Sequence, residues 1–145
     1  MKQNVLIIEE NVAMRYLLTT VLATQYRPIS HANCYNAVSD LKKNDIRVII
    51  VNIGSQNSKN FDFLMHLNSS SFYSGIPVIV ISNNNSNDLR LKCLELGVEA
   101  FFLKPFDPLS LLECIKDVLF ISGNMRRMSE DFTSEFEQEE RISVK

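Results

Sequence analysis

The sequence predicts an α/β protein, an open, doubly wound sheet of five parallel strands with helices on both faces. Three runs, Val5-Leu6-Ile7-Ile8, Val48-Ile49-Ile50-Val51 and Val78-Ile79-Val80-Ile81, are almost continuously apolar and rich in β-branched residues. A strand needs that composition when both its faces are buried, as in the middle of a parallel sheet. Helical periodicity occupies the gaps. Strand and helix alternate five times, which selects a doubly wound fold over a bundle or a sandwich.

Each element follows in order. After the first apolar run, residues 12–24 place Met14, Leu17, Leu18, Val21 and Leu22 on one helical stripe. Residues 28–32 form a weaker strand, and residues 34–43 a helix that groups Ala37, Val38 and Leu41. The third strand ends at Asn52, and a short helix at 61–67 comes next. After the fourth strand, the polar cluster Asn83-Asn84-Asn85-Ser86 precedes a helix at 87–96, with Gly97 as its left-handed stop. A short strand at 100–103 leads to a last core helix that has Asp107 as N-cap, Pro108 at its first position, and an end near Ile121 before Gly123.

The chain of 145 residues, 46% of them hydrophobic, suits one domain with one core, expected at 1–122, and an extension at 123–145. Fifteen basic and seventeen acidic residues argue against a surface given over to nucleic acid. Eleven charges of each sign fall in 1–122, leaving four basic and six acidic in the extension. No apolar run reaches the length of a membrane span, and the N-terminus reads as a strand rather than a signal peptide. Cys34, Cys93 and Cys114 are odd in number and lack metal spacing, so the expected setting is the cytoplasm with free thiols. Cys93 and Cys114 sit beside leucines and read as small core groups. His31 and His66 have no partner at ligand spacing and read as ordinary surface or core residues.

In a doubly wound sheet the functional crevice lies beyond the C-terminal strand ends. Glu9 and Glu10 follow the first strand there, Asn52 the third, Ser82 the fourth and Lys104 the fifth. Two carboxylates, an amide, a hydroxyl and an ammonium are thus expected to converge from separate parts of the chain. No catalytic base and nucleophile can be paired from them, so an enzyme is not expected.

These residues make residues 3 to 122 resemble the receiver domain of bacterial two-component response regulators. The resemblance implies a flavodoxin-like sheet of order 2-1-3-4-5. It matches Glu9-Glu10 to the family's magnesium-binding acid pair, Ser82 to the hydroxyl that contacts the phosphoryl group, and Lys104 to the lysine that pairs with phosphate; from the residues alone, Ser82 reads equally as a strand-end hydroxyl that caps the following loop. The step Lys104-Pro105-Phe106 is the most specific local match, and in the family that bond is typically cis. Phe101 falls at the aromatic position whose rotation reports phosphorylation to the outer face. Phe101 and Phe102 alternate across a strand, so one is expected inward as core and the other, Phe101, as a contact residue.

Two departures matter. Asn52 stands where the family has its phosphoacceptor aspartate, and a neutral amide is a poor nucleophile and a poor ligand for a hard cation. The following loop, Ile53-Gly54-Ser55-Gln56-Asn57-Ser58, lacks the family's Met-Pro pair. The acid pair is Glu-Glu, one methylene longer on each side. Magnesium binding at Glu9 and Glu10 is therefore expected to be weak or absent, and no other cofactor is expected. In its place, Lys104 is expected to bridge to Glu9 or Glu10 and to hydrogen-bond the Asn52 side-chain oxygen, with the Asn52 amide donated to a glutamate.

Met125, Met128, Phe132 and Phe136 recur at helical spacing in the extension, surrounded by acidic residues. Such a stripe needs something to bury against: the body, a second chain or a further domain. The functional expectation is a receiver that does not accept phosphate at the usual position. It would act as a protein-interaction or dimerisation module through its fourth helix, fifth strand and fifth helix, or through the C-terminal helix, with no contact to nucleic acid or membrane. The rivals are a phosphorylatable regulator with an unusual acceptor, Ser55 being conceivable, and a sensor of a small ligand.

Overall fold

The computed structural model describes residues 2–123. Its elements are β1 (Asn4–Ile8), α1 (Val12–Leu22), β2 (Arg27–His31), α2 (Cys34–Lys43), β3 (Ile46–Asn52), α3 (Lys59–Ser69), β4 (Val78–Ser82), α4 (Asn87–Glu95) and β5 (Ala100–Leu103). A last helix, α5, occupies residues 108–123. All strand pairs are parallel and the order is β2-β1-β3-β4-β5, as expected from the sequence.

Alternation along the strands divides the core in two. Leu6, Ile8, Ile49, Val51, Val78 and Val80 face α2, α3 and α4. Val5, Ile7, Val48, Ile50, Ile79 and Ile81 face α1 and α5. This is why the central strands read as unbroken apolar runs: every residue meets one helical layer or the other.

The helix starts are set by side-chain caps. Asn11, Asn33, Ser58 and Ser86 each accept from a backbone N–H three residues on. Asp107 accepts from Leu109 N at 3.0 Å, and Pro108 opens α5 where no N–H is needed. Ser58 explains why α3 is longer than the apolar residues 61–67 suggest. Gly97 has φ 83°, the left-handed conformation expected of a helix stop.

Some expectations fail. Leu17 and Val38 are exposed rather than part of their buried stripes, because α1 and α2 are anchored by Leu18 and Leu22 and by Ala37 and Leu41. Gly123 does not stop α5 and is itself helical. Phe101 and Phe102 do not divide into one core and one surface residue. Each is half-buried, Phe101 against the α2–α4 layer and Phe102 against the α1–α5 layer. His31 is an ordinary half-buried residue, as read from the sequence, and Asp40 of α2 meets its Nε2. Met125, Met128, Phe132 and Phe136 lie outside the described residues.

Candidate functional site

The strand tips bring one buried acid, one amide and one ammonium together. Glu9 is fully buried, directly after the paired residues Ile8 and Val51, and Asn52 occupies the next position on β3. Parity carries Val5, Ile7 and Glu9, and Val48, Ile50 and Asn52, onto the same side of the sheet. Lys104 follows β5, and its Nζ lies 2.8 Å from Glu9 Oε1. The Lys104–Pro105 bond is cis.

The rest of the expected network is not formed. Glu9 Oε2 and Asn52 Oδ1 are buried and find no hydrogen-bond partner among the described residues. Lys104 therefore does not bond the Asn52 oxygen, and the Asn52 amide is not donated to Glu9 Oε2. Glu10 is exposed, so the two acids do not form a buried pair. Adjacent residues leaving a strand point apart, and only Glu9 keeps the inward parity. Ser82 is fully buried, and its hydroxyl accepts from Asn84 N at 3.0 Å. That ties down the following loop.

Several residues that reading the sequence passed over shape this end of the sheet. Arg15 of α1 donates to the Glu9 carbonyl at 2.8 Å. Asn60 donates its side-chain amide to the Asn52 carbonyl at 2.7 Å. Two ties hold the loop after β3: Asn84 Nδ2 in the loop after β4 donates to Gly54 O at 2.9 Å, and Gln56 Nε2 donates to Asp88 Oδ2 at the start of α4 at 2.7 Å. Asn84 Oδ1 also accepts from Ser86 N. A run of asparagines looks like a solvated loop in sequence, and its partners are some thirty residues away, so only the folded chain exposes the role.

The chain belongs to the response regulator receiver domain family, whose sequence model it matches over residues 5–116. It is 26% identical over 130 residues to the phosphate regulon transcriptional regulatory protein PhoB of Escherichia coli, covering 89% of this chain and 54% of that protein. The chain spans about half the length of the curated relatives it matches. Its fold is similar to that of the chemotaxis protein CheY4 of Vibrio cholerae, with TM-score 0.73 and 21% identity over 81% of this chain and 99% of that one. It is also similar to the receiver domain of a Pseudomonas aeruginosa sensor histidine kinase that has magnesium coordinated in its active site cleft, with TM-score 0.71 and 18% identity over 82% and 98% of the two chains. The protein is thus a receiver domain of two-component signal transduction.

Magnesium does not fit the residues of this crevice. The ion is held by anionic oxygens in near-octahedral geometry and is dehydrated reluctantly. The single buried carboxylate already carries the Lys104 ammonium, the second acid is exposed, and the amide oxygen is neutral. No group of three His, Cys, Asp or Glu among the described residues could hold a metal. No helix among those residues is long and apolar enough to cross a membrane.

Proposed function

We infer that this receiver domain takes no phosphoryl group at Asn52 and works as a phosphorylation-independent protein-interaction module. The observation that carries this reading is the Lys104–Glu9 pair. Ser82, Lys104 and Asn52 stand where the family's hydroxyl, lysine and phosphoacceptor are expected. Here the lysine is already neutralised from within, and the strand-tip residue has no anionic oxygen with which to attack a phosphorus centre. Glu9 and Glu10 are a remnant of the acidic pocket.

The face formed by α4, β5 and α5 is the proposed contact surface. Leu91 and Leu94 of α4 and Leu103 of β5 are exposed, Leu91 by 58%, and Phe101 of β5 is half-buried. Apolar side chains grouped on neighbouring elements are what a recognition patch requires. This surface suits a protein partner or a second copy of the chain.

The test is intact-mass measurement after incubation with magnesium and a small acyl-phosphate donor. The mass is expected to stay unchanged. A gain of one phosphoryl group would overturn the reading and favour a working switch with an unusual acceptor.

A further inference from the structure

We propose that β5 pairs with the β5 of a second copy of this chain, antiparallel across a two-fold axis through Phe102, so that two sheets join edge to edge. This deepens the contact surface inferred above and rests on it. The strand order leaves two edges, β2 and β5, and the sequence treats them differently.

The β2 edge is closed by its own residues. Arg27 N donates to Gln3 O at 2.8 Å and His31 O accepts from Glu9 N at 3.0 Å, so both turn their backbone groups toward β1. That direction alternates along a strand, which leaves Pro28 and Ser30 facing outward. Proline has no N–H to offer, and on an edge strand it keeps a further strand from adding.

The β5 edge has no such guard. Ile49 N donates to Pro77 O and Ile53 N to Ile81 O, both at 3.0 Å. Ile81 therefore faces β3, and by alternation Val80 and Ser82 face β5. Lys104 N donates to Ser82 O at 2.7 Å, in step with that pattern. Below it the ladder starts irregularly, where Glu99 N reaches Val78 O. With Ile81 opposite Phe102 in the register, Phe102 gives its N–H and C=O to β4, and those of Phe101 and Leu103 point outward. The segment Ala100–Leu103 holds no charge and no proline, and none of its residues is fully buried. Leu103 is 43% exposed.

A second β5 suits this edge because the segment is complementary to itself. Centred on Phe102, antiparallel pairing sets Phe101 opposite the second copy's Leu103 on both sides of the axis, each such pair exchanging both of its N–H···O bonds. It also sets Phe102 against the second copy's Phe102. Aromatic and aliphatic residues directly opposite one another are favourable cross-strand pairs. No charge meets a like charge: Ala100 lies opposite the second copy's Lys104, whose ammonium is held inside by Glu9. Because Pro28 closes the other edge, the assembly stops at two copies, a closed isologous dimer.

Residue-resolved amide exchange on the full chain across a dilution series, with light scattering on the same samples, tests this. In dilute solution the Phe101 and Leu103 amides are expected to exchange quickly. Their exchange should slow by ~10-fold or more once about nine-tenths of the chains are paired, while the Phe102 amide stays protected throughout. Leu103→Pro removes an outward donor and spares the bonds to β4, so it should keep the melting transition and hold the single-chain mass at every concentration. A mass that doubles while the Phe101 and Leu103 amides stay fast would overturn strand pairing and leave the α4 side-chain contact standing. A mass that never doubles would overturn strand pairing and self-association alike. Association undisturbed by Leu103→Pro would also overturn the proposal.

Discussion

Lys104 Nζ and Glu9 Oε1 meet at 2.8 Å although 95 residues separate them in the chain. Glu9 is inaccessible to solvent and Lys104 is 16% exposed. The pair ties the tip of β1 to the segment after β5, across the intervening β3 and β4. A buried charge without its partner is costly, whereas a whole pair exchanged for apolar groups is often neutral.

Lys104→Met is therefore expected to destabilise the domain by about 3 kcal/mol, at the lower end of the range for a broken buried pair. Glu9→Leu combined with Lys104→Met should recover most of that loss. Urea unfolding with unchanged m-values reads both effects. Equal midpoints for the wild type and Lys104→Met would show that the pair is not an energetic partner.

Asn52→Asp places a second carboxylate beside Glu9 with only one lysine to share. A loss of about 1–3 kcal/mol is expected from like-charge crowding and a buried, poorly paired anion. Magnesium should return part of that stability in the variant and leave the wild type unmoved. Thermal unfolding with and without the ion separates the two, and a magnesium-dependent rise in the wild type would show that the native crevice does hold the ion.

Alkaline pH should weaken the fold through its buried thiols. Burial pushes the Cys93 thiol from 9.0 up to about 11. The folded protein holds that proton more tightly than the unfolded chain, so the associated stability is complete below 9.0 and disappears as pH climbs toward about 11. Burial raises Tyr26, Cys34 and Cys114 as well, in the same direction. Cys93→Ala should make the decline shallower by about 2–3 kcal/mol over this range. Urea midpoints on either side of it are the measurement.

Leu91→Glu with Leu94→Glu should abolish association through the α4 face with little effect on folding, since both side chains are exposed. Light scattering across a concentration series measures the mass. An unchanged assembly would move the contact elsewhere.

The fold was legible because three central strands need apolar residues on both faces and have them without interruption. Caps such as Ser86 and Asp107 were legible for a local reason: a side chain acts on backbone a few residues away. The site was legible only in part. Strand ends locate Glu9, Asn52, Ser82 and Lys104 together, and the lysine does pair with an acid. That Glu10 faces out and that Asp40 meets His31 both depend on the orientation of individual side chains. Periodicity gives a residue's face but not its hydrogen-bond partner. Long-range ties such as Gln56 to Asp88 leave no local trace at all.

The bonds from Asn84 to the Gly54 carbonyl and from Gln56 to Asp88 fasten the loop after β3 to the loop after β4 and to the start of α4, using only groups of the molecule itself. Neither tie depends on a covalent mark, so the outline of the mouth is set by the folded chain itself. For an interaction module of the kind inferred, the quantity left to vary is the number of copies. Synthesis and degradation would then carry the message that a covalent mark carries elsewhere.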